Sequence, residues 1–232
     1  MNSVPDSGFP RYRPAGERAL LVEFGEVIDK AIHNNVLMLD ERLAAEPVEG
    51  FVEAVPAYAS LLIVFDPLIT DHGTIKRAVA DRLAQAAFRV RRSVVREVLV
   101  CYDPDFAPDL QRVAEMTGLT EEQVIAAHLA GDYSVFMYGF APGYAYLAGV
   151  PEAIQMPRKQ AAVRDVPAGS VLIAGPQCLV TTLIMPTGWW IIGRSSTRIL
   201  DSRAKDRPFL FDVGDGVRFR RVAREDFERA AS

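Results

Sequence analysis

The spacing of hydrophobic positions in the N-terminal part of the chain predicts two cycles of strand and helix. Residues 19–24 form a β-rich run closed by a glycine, and the apolar positions of 32–43 then recur with the period of an α-helix. In the second cycle an extended stretch at 50–56 precedes an apolar strand at 60–65, and 75–83 again has helical spacing. This order is typical of a small α+β domain with both helices on one face of a sheet.

A new strand is predicted at 94–102, directly after the basic cluster at 89–92. The length of 232 residues lies between the usual sizes of one domain and of two. We place a domain boundary close to Phe88, because the strand pattern begins afresh there. The interpretation is an N-terminal α+β domain at 1–90 and a second domain at 91–232.

Two short helices are predicted early in the second domain. Pro108 fits the first turn of a helix that ends at Gly118. Thr120 and Gln123 have the spacing of a capping box, which begins a second helix ending at Gly131. We interpret both helices as additions to the second domain rather than part of its framework.

Short β-rich runs separated by glycine and proline fill the rest of the chain. They lie at 134–138, 170–174, 179–184, 190–192 and 217–221. Short strands with frequent turns are typical of a barrel or a sandwich. The predicted fold class is therefore α+β, with the second domain built on a closed or stacked sheet.

Composition and charge exclude several classes of protein. Half of the residues are hydrophobic and the net charge is -4 with both signs interspersed, so no basic stripe is present for nucleic acid. No apolar run approaches the ~18 residues of a membrane span, and the N-terminus lacks a signal-peptide pattern. Cys101 and Cys178 have no companions at disulfide or metal-ligand spacing, which favours reduced thiols and a cytoplasmic protein.

The common catalytic motifs are missing. His33 and His128 are predicted at helix surfaces or edges and His72 at a helix start, and none has a partner at metal-ligand spacing, so no metal site is expected. Ser170 lacks the flanking glycines of a nucleophile elbow. The segment 214–216 is predicted to be a turn and not a phosphate loop. The chain alone does not resemble a complete enzyme.

The segment Tyr138–Leu147 carries the most distinctive chemistry. Two glycines and a proline set backbone turns between aromatic residues. One interpretation is a packed loop with core aromatics. The other is a small-molecule pocket, in which the amides of Gly139 and Gly143 face a ligand between aromatic walls supplied by Phe140, Tyr144 and Tyr146.

Cations and a tryptophan pair follow this segment. Arg158 and Arg164 suit a carboxylate or a phosphate through forked hydrogen bonds, although a surface role is the alternative for each. Trp189 and Trp190 are neighbours in a predicted strand, so they should point to opposite faces, one in the core and one exposed or at an interface.

Taken together, these motifs resemble those of allophanate hydrolase subunit 1, the B subunit of 5-oxoprolinase and the KipI kinase inhibitors. The motifs that carry the resemblance run in order through most of the chain: Pro56-x-Tyr58-x-Ser60-Leu-Leu, Cys101-Tyr102, Pro108-Asp109-Leu110, Gly139-Phe-Ala-Pro-Gly-Tyr-Ala-Tyr-Leu147, Pro157-Arg158, Val166-Pro-Ala-Gly-Ser-Val171, Pro186-x-Gly-Trp189, Ile192-Gly-Arg194 and Gly214-Asp215.

The resemblance implies a fold, partners and two kinds of function. The fold would be a small N-terminal α+β domain plus a C-terminal cyclophilin-like β-barrel. The chain would pair with a subunit-2 or subunit-C-type protein, with a third subunit of the LamB/YcsF type, in a hydrolase resembling the carboxyltransferase part of urea carboxylase. ATP or carboxybiotin would act through those partners on a small cyclic amide or urea-like compound. The alternative is a KipI-like inhibitor of a sensor histidine kinase.

The resemblance also implies a set of site residues, although no catalytic residue is assigned. Arg158 and Arg194 would bind anionic groups, and Ser170 and Gln177 would donate to a carbonyl oxygen. The rest of the predicted set comprises Gly139, Phe140, Pro142, Gly143, Tyr146 and Gly169. The chain departs from its relatives at 175–182, where it keeps Gln177 but lacks a glycine turn, a tyrosine and a proline, and at Val163, a position that is often arginine.

Overall fold

The chain divides into two compact units, Met1–Arg92 and Ser93–Ser232. The computed structural model describes residues 8–85 and 93–231, and each unit has a hydrophobic core of its own. The boundary predicted near Phe88 and the basic cluster at 89–92 lie outside the described residues.

The first unit is a four-stranded antiparallel sheet with two helices. Its strands are arranged in the order β1-β2-β4-β3. In chain order the elements are β1 Arg11–Pro14, β2 Ala19–Glu23, α1 Lys30–Ala45, β3 Phe51–Pro56, β4 Ser60–Phe65 and α2 His72–Ala84.

One face of this sheet carries the core of the unit. Alternate residues of β2 and β4 point the same way because side chains in a strand alternate between faces. They form one buried cluster with residues of α1 and α2, which confirms the prediction of both helices on one face. His33 of α1 belongs to this interior, being 3% exposed with Nδ1 3.2 Å from the Ala57 carbonyl oxygen. The prediction that His33 lies at a helix surface or edge is therefore wrong.

The second unit contains nine strands, three α-helices and a 3₁₀ turn at Glu152–Ile154 among its described residues. Its elements in chain order are β5 Val95–Cys101, α3 Leu110–Thr117, α4 Glu121–Leu129, β6 Tyr133–Tyr138, β7 Ala145–Ala148, β8 Val163–Val166, β9 Ser170–Ala174, β10 Gln177–Val180, β11 Met185–Thr187, β12 Trp190–Ser195, β13 Gly216–Arg221 and α5 Arg224–Ala231.

Seven of these strands close into a barrel in the order β10-β7-β6-β13-β5-β12-β9. The pair β13 and β5 is parallel, and the other pairs are antiparallel. A separate antiparallel ribbon joins β8 and β11. The prediction of an α+β chain with a barrel in its second domain is confirmed.

Residues of the barrel wall divide between an inner and an outer apolar cluster. In β9, Val171 and Ile173 belong to the inner core, whereas Leu172 and Ala174 belong to a second cluster with Tyr144 and Trp189. This division follows from the alternation of side chains along a strand. The second cluster, on the outer side of the wall, positions the candidate site.

The helices α3 and α4 form part of the main core. Thr120 and Gln123 make both hydrogen bonds of the predicted capping box, and Gly118 ends α3 in a left-handed conformation with φ of 72°. However, Val113 of α3 and Val124 of α4 are fully buried in the cluster that fills the barrel. The interpretation of these helices as mere additions is wrong, because they close the inner core.

His128 of α4 lies inside the core, and the prediction that places it at a helix surface or edge is wrong. Its Nδ1 is 2.7 Å from the Tyr102 hydroxyl oxygen, and its Nε2 is 3.7 Å from the Cys178 sulfur. Burial lowers the pKa of His128 to about 3, so the imidazole is neutral at physiological pH. This histidine packs in the barrel and is not exposed to a ligand.

Several short elements were not predicted from the periodicity. They are β1, β7, β8, β11 and α5, and the strand predicted at 179–184 is instead β10 at Gln177–Val180. Three or four residues carry too little periodicity to define a strand without its partner. None of the helices in the described part of the chain has the length and apolar character needed to span a membrane.

Candidate functional site

An open pocket of about 160 Å³ lies on the outer face of β9 and β10, and we call it the aromatic pocket. Its floor is the second apolar cluster, to which Leu172 and Leu179 belong. The residues that line it are Phe140, Tyr144, Tyr146, Arg158, Leu172, Leu179, Pro186, Thr187, Gly188 and Trp189. It thus includes three members of the predicted set: Phe140, Tyr146 and Arg158.

The turn between β6 and β7 presents Phe140 at the rim of this pocket. The Ala141 amide donates to the Gly139 carbonyl oxygen at 2.9 Å, so the turn spans three residues and is centred on Phe140, whose φ is +70°. A positive φ is a strained conformation for a bulky residue, because its side chain crowds the backbone. The Phe140 side chain is 70% exposed and packs against the Tyr144 ring at 5.7 Å between centroids.

Gly143 allows the same turn to approach its neighbours closely. Its φ is +75°, and a Cβ at this position would lie 3.0 Å from Thr182 Cγ2 and 3.2 Å from Leu200 Cβ. The Thr182 hydroxyl also donates to the Pro142 carbonyl oxygen at 2.6 Å. The turn is therefore anchored on the segment after β10.

The turn contributes rings to the pocket rather than the predicted amide of Gly139. That amide donates to the Tyr144 carbonyl oxygen at 3.2 Å, so it is not available to a ligand. Pro142 and Gly143 support the turn without lining the pocket. The expectation that the Gly139 amide faces a ligand is wrong.

The segment that carries Arg158 is fixed on both sides by hydrogen bonds to the start of β12. The Trp190 indole donates to the Pro157 carbonyl oxygen at 2.7 Å, and the Lys159 amide donates to the Gly188 carbonyl oxygen at 2.7 Å. The Lys159 ammonium pairs with Asp109 at 2.5 Å. These contacts hold the backbone of Arg158 in place while its side chain stays exposed.

Arg158 is the cation of the aromatic pocket. Its guanidinium carbon lies 5.6 Å from the centre of the Trp189 ring, a cation–π contact, and Trp189 meets Tyr146 edge-on at 5.9 Å. Arg158 makes no ion pair with any residue that the structure describes. A planar, uncompensated guanidinium beside aromatic walls is suited to bind a carboxylate or a developing oxyanion.

The pocket can bind and orient a ligand but has no proton acceptor. Burial raises the pKa of Tyr144 and of Tyr146, and the nearby Arg158 only partly opposes this rise for Tyr146. Both phenols are therefore protonated at neutral pH and act as hydrogen-bond donors. No carboxylate or histidine occurs among the described residues that line the pocket. These lining residues can bind a ligand and donate hydrogen bonds to it, but they offer no general base.

The two tryptophans lie on opposite faces, as predicted, but Trp190 is half-buried rather than exposed. Trp189 is buried in the outer cluster, and Trp190 packs against the inner core. Their rings thus lie on opposite faces of the barrel wall, since adjacent residues of a strand alternate. Trp189 is a wall of the pocket and Trp190 supports the segment of Arg158.

Ser170 and Gln177 are not brought to the aromatic pocket. Ser170 is fully buried, its hydroxyl donates to the Pro167 carbonyl oxygen at 2.8 Å, and its amide donates to the Thr181 hydroxyl oxygen at 2.8 Å. Gln177 begins β10, where it pairs with Ala148 and Ala174. The prediction that the Ser170 hydroxyl donates to a ligand carbonyl is wrong, because that donor is already used inside the protein.

Gly169 and Arg194 line a different cavity of about 500 Å³, which we call the barrel-end pocket. It lies where β9 begins and where β10 and β12 end, and it shares no lining residue with the aromatic pocket. A Cβ at Gly169 would lie 2.5 Å from the Ser195 carbonyl oxygen, so glycine is required for this close approach. Arg158 and Arg194, both predicted to bind anionic groups, thus line two separate pockets.

The Gly214-Asp215 motif is structural. Asp215 is fully buried and accepts hydrogen bonds from the Asp212 amide at 3.0 Å and from Arg96 Nε at 3.2 Å. Burial works to raise the pKa of Asp215, but these hydrogen bonds, with that from the Val94 amide, lower it below the usual range. The carboxylate thus ties the turn to the start of β5.

Sequence reasoning missed part of the pocket wall. Leu172, Leu179 and Thr187 line it, and Asp109 and Lys159 support it. The position of Lys159 next to Arg158 in the sequence indicated that it could support the pocket. Its partner, the Asp109 carboxylate, is apparent only in the folded chain. Across the described residues, no three His, Cys, Asp or Glu side chains gather so as to hold a metal ion.

Comparisons with known proteins agree with this architecture. A family model for the carboxyltransferase domain, subdomain C and D, matches residues 10–211. The chain is 35% identical over 224 residues to the B subunit of 5-oxoprolinase from Bacillus subtilis (strain 168), covering 91% of this chain and 92% of that protein. It is 35% identical over 205 residues to the B subunit of 5-oxoprolinase from Escherichia coli O157:H7, covering 88% and 92%.

Two solved structures share the fold but belong to longer chains. The crystal structure of TTHA0988 is 34% identical with a TM-score of 0.78, and the match covers 89% of this chain but 40% of that one. The urea carboxylase of Kluyveromyces lactis matches with a TM-score of 0.74 at 20% identity, over 94% of this chain and 22% of that one. Since the family model spans most of the chain and two curated relatives match along nearly their whole length, the chain belongs to the family of the carboxyltransferase domain, subdomain C and D.

Proposed function

We propose that the chain is one subunit of a multi-component enzyme of the 5-oxoprolinase and allophanate hydrolase type, acting on a small cyclic amide or urea-like compound. The aromatic pocket is its contribution to the substrate site. The observation that carries this proposal is the open pocket with the uncompensated Arg158 guanidinium over the Trp189 ring. The names of the two bacterial relatives, both B subunits of 5-oxoprolinase, support the same assignment.

The shape and chemistry of the pocket suit such a substrate. A planar amide ring packs against flat aromatic walls, and the protonated hydroxyl of Tyr146 is a donor for a carbonyl oxygen. The Arg158 guanidinium pairs with a carboxylate of the substrate or with the oxyanion that forms when the amide is attacked. These residues bind and orient the substrate, and the base that activates the nucleophile is supplied by another chain.

Exposed apolar residues next to the pocket support a companion chain. Phe140 at its rim is 70% exposed, and Ile184, two positions before the lining residue Pro186, is 69% exposed. Val163, which is also exposed, pairs with the lining residue Thr187. Apolar side chains clustered around a polar opening are typical of an interface. The matched regions of TTHA0988 and urea carboxylase form 40% and 22% of their chains, which is consistent with a domain that works beside others.

The glycine turn at 214–216 does not suit the phosphates of ATP. The glycine turn at 214–216 is occupied by the buried Asp215 carboxylate, which would repel a phosphate. We therefore assign ATP or carboxybiotin chemistry to the companion proteins, of the subunit-2 or subunit-C type and of the LamB/YcsF type. This chain contributes binding, orientation and exclusion of water.

The experiment is reconstitution from separately purified components. The chain, its presumed subunit-2-type companion and the third component are assayed singly and together for ATP hydrolysis driven by 5-oxoproline and by urea-like amides. We expect turnover only in the complete mixture, because the aromatic pocket has no general base of its own. The Phe140→Ser variant should weaken assembly, whereas Leu68→Ser, which changes an exposed apolar residue of the first unit, is the control and should not.

Three results would contradict the proposal. Full turnover by this chain alone would show that it carries a complete site. Turnover of the companions without this chain would show that it is dispensable. Tight binding to a sensor histidine kinase, with no complex with the companions, would instead assign the inhibitor function.

A further inference from the structure

The barrel-end pocket has an unusual balance of polar groups. Its wall carries two arginines and a series of hydroxyls, and no carboxylate occurs among the described residues that line it. The full lining is Ala168, Gly169, Thr181, Thr182, Arg194, Ser195, Ser196, Thr197, Arg198, Ile199, Leu200, Phe227 and Ala230. Such a cavity presents hydrogen-bond donors and positive charge without an acidic partner.

Arg194 is a partly buried cation that the described residues do not neutralise. Its guanidinium carbon lies 5.3 Å from the centre of the Phe106 ring. Its Nε is buried without a hydrogen-bond partner, and it makes no ion pair within residues 8–85 and 93–231. Burial lowers the pKa of Arg194, because the guanidinium has lost part of its contact with water. Leaving a partly buried charge unpaired costs free energy, and an anionic ligand would relieve that cost.

Arg224 provides a comparison, because it packs against the same ring as Arg194 but forms ion pairs within the protein. Its guanidinium carbon lies 5.2 Å from the same Phe106 ring, but the side chain pairs with Asp105 at 2.7 Å and with Glu228 at 2.8 Å. Packing against Phe106 is thus common to both arginines. Of the two, Arg224 alone is compensated by carboxylates within the described residues, so Arg194 is the one whose charge faces the pocket uncompensated.

Ser196 is the second unsatisfied donor of the pocket. Its hydroxyl oxygen is buried and has no hydrogen-bond partner among the described residues. The neighbouring hydroxyls are used: Ser195 accepts from the Thr197 amide at 3.0 Å, and Thr197 accepts from the Leu99 amide at 2.8 Å. Arg198, which is exposed, contacts Asp201 only at 3.9 Å. Two unsatisfied buried groups and a weakly paired arginine thus line one cavity.

We propose that the barrel-end pocket binds a small oxyanion ligand, carrying a carboxylate or a phosphate group, through the Arg194 guanidinium and the Ser196 hydroxyl. An oxyanion accepts several hydrogen bonds at once and supplies the missing negative charge. Arg198 adds charge at the mouth of the pocket. This site is separate from the aromatic pocket and does not depend on the function proposed for that pocket.

The test is anion binding by the purified full-length chain. Thermal stability is measured in increasing inorganic phosphate, and separately in acetate, against chloride at matched ionic strength. A ligand that binds the folded state raises the melting temperature in a saturable way. We expect saturable stabilisation by phosphate, by acetate or by both, and the responding anion identifies the group that the site takes.

Variants assign the binding to its residues. Arg194→Gln should weaken the anion affinity by about tenfold or more, and Ser196→Ala should weaken it by a smaller factor, because charged hydrogen bonds are the stronger ones. Arg194→Lys keeps the positive charge but loses the two parallel N–H donors of the guanidinium. Its anion affinity should lie between those of Arg194→Gln and Ser196→Ala. Arg112→Gln, which removes an exposed arginine of α3, is the control and should bind like the parent chain.

Two results would overturn the proposal. Equal stabilisation by phosphate, acetate and chloride would show an ionic-strength effect alone. An anion affinity that is unchanged in well-folded Arg194→Gln and Ser196→Ala but lost in Arg158→Gln would place the anion in the aromatic pocket. That last outcome would leave the proposed function standing while removing this second site.

Discussion

At the scale of single residues, replacing Arg158 should affect ligand binding without affecting the stability of the fold. Its side chain is exposed, and its backbone is held through Pro157 and Lys159. Removing the side chain therefore leaves the fold intact while removing the cation of the aromatic pocket.

We expect Arg158→Ala to lower kcat/KM of the assembled enzyme by roughly 10- to 150-fold, the range for a lost hydrogen bond to a charged group. The melting temperature should stay close to that of the parent protein. Kinetics of the reconstituted enzyme and calorimetry of the isolated chain make the measurement. A large drop in melting temperature with normal activity per folded molecule would assign Arg158 to structure instead.

His128 makes stability depend on pH. Burial lowers its pKa from 6.5 to about 3, so the unfolded chain binds a proton that the folded chain does not. The free energy of unfolding is therefore highest above pH 6.5 and falls as the pH decreases towards 3, by about 1.4 kcal/mol per pH unit, or about 2 kcal/mol at pH 5. Burial raises the pKa of its neighbours Tyr102, Tyr133 and Cys178, so they do not titrate in this window.

The measurement is denaturant unfolding of the parent chain and of His128→Gln between neutral and mildly acidic pH. Glutamine retains a hydrogen-bonding group near Tyr102 but does not titrate. The difference in unfolding free energy between the two proteins should therefore shrink as the pH falls. Parallel pH profiles would show that His128 is solvated in solution.

At the scale of elements, the turn between β6 and β7 depends on Gly143. An alanine there incurs the cost of a left-handed backbone, about 1–2 kcal/mol, and its Cβ also meets Thr182 and Leu200. Gly118 is a matched control because it has a similar φ of 72°, while no atom lies within 4 Å of the position that its Cβ would take.

We expect Gly143→Ala and Gly118→Ala to lose similar stability from the backbone, with a further loss at Gly143 from the contacts. Only Gly143→Ala should reduce activity of the assembled enzyme, because it displaces the Phe140 turn. Unfolding free energies and kinetics of both variants provide the comparison. Equal activity in the two variants would mean that the turn is not part of the substrate site.

At the scale of the whole molecule, each unit has its own core and its own sheet. We expect residues 93–232, expressed alone, to fold and to unfold cooperatively, because the barrel closes on itself and its core is local to that segment. Circular dichroism and thermal unfolding test this expectation. A fragment without a cooperative transition would show that the barrel depends on the first unit.

Elements with local signals could be predicted from the amino-acid sequence. The strand at 60–65, the helix of 32–43 and the capping box of Thr120 and Gln123 follow from side-chain period and from hydrogen bonds over three residues, which need no distant partner. The motifs also identified the family and the two segments, 139–147 and 157–158, that meet in the aromatic pocket.

The grouping of those residues into pockets follows from contacts between distant parts of the chain. Barrel closure pairs β9 with both β10 and β12, and this register sends Leu172 and Leu179 outwards to the aromatic pocket while it places Arg194 at the end of the barrel. It also uses the Ser170 hydroxyl internally and buries His128. These outcomes depend on pairings between residues far apart in the chain, which periodicity within one segment does not encode.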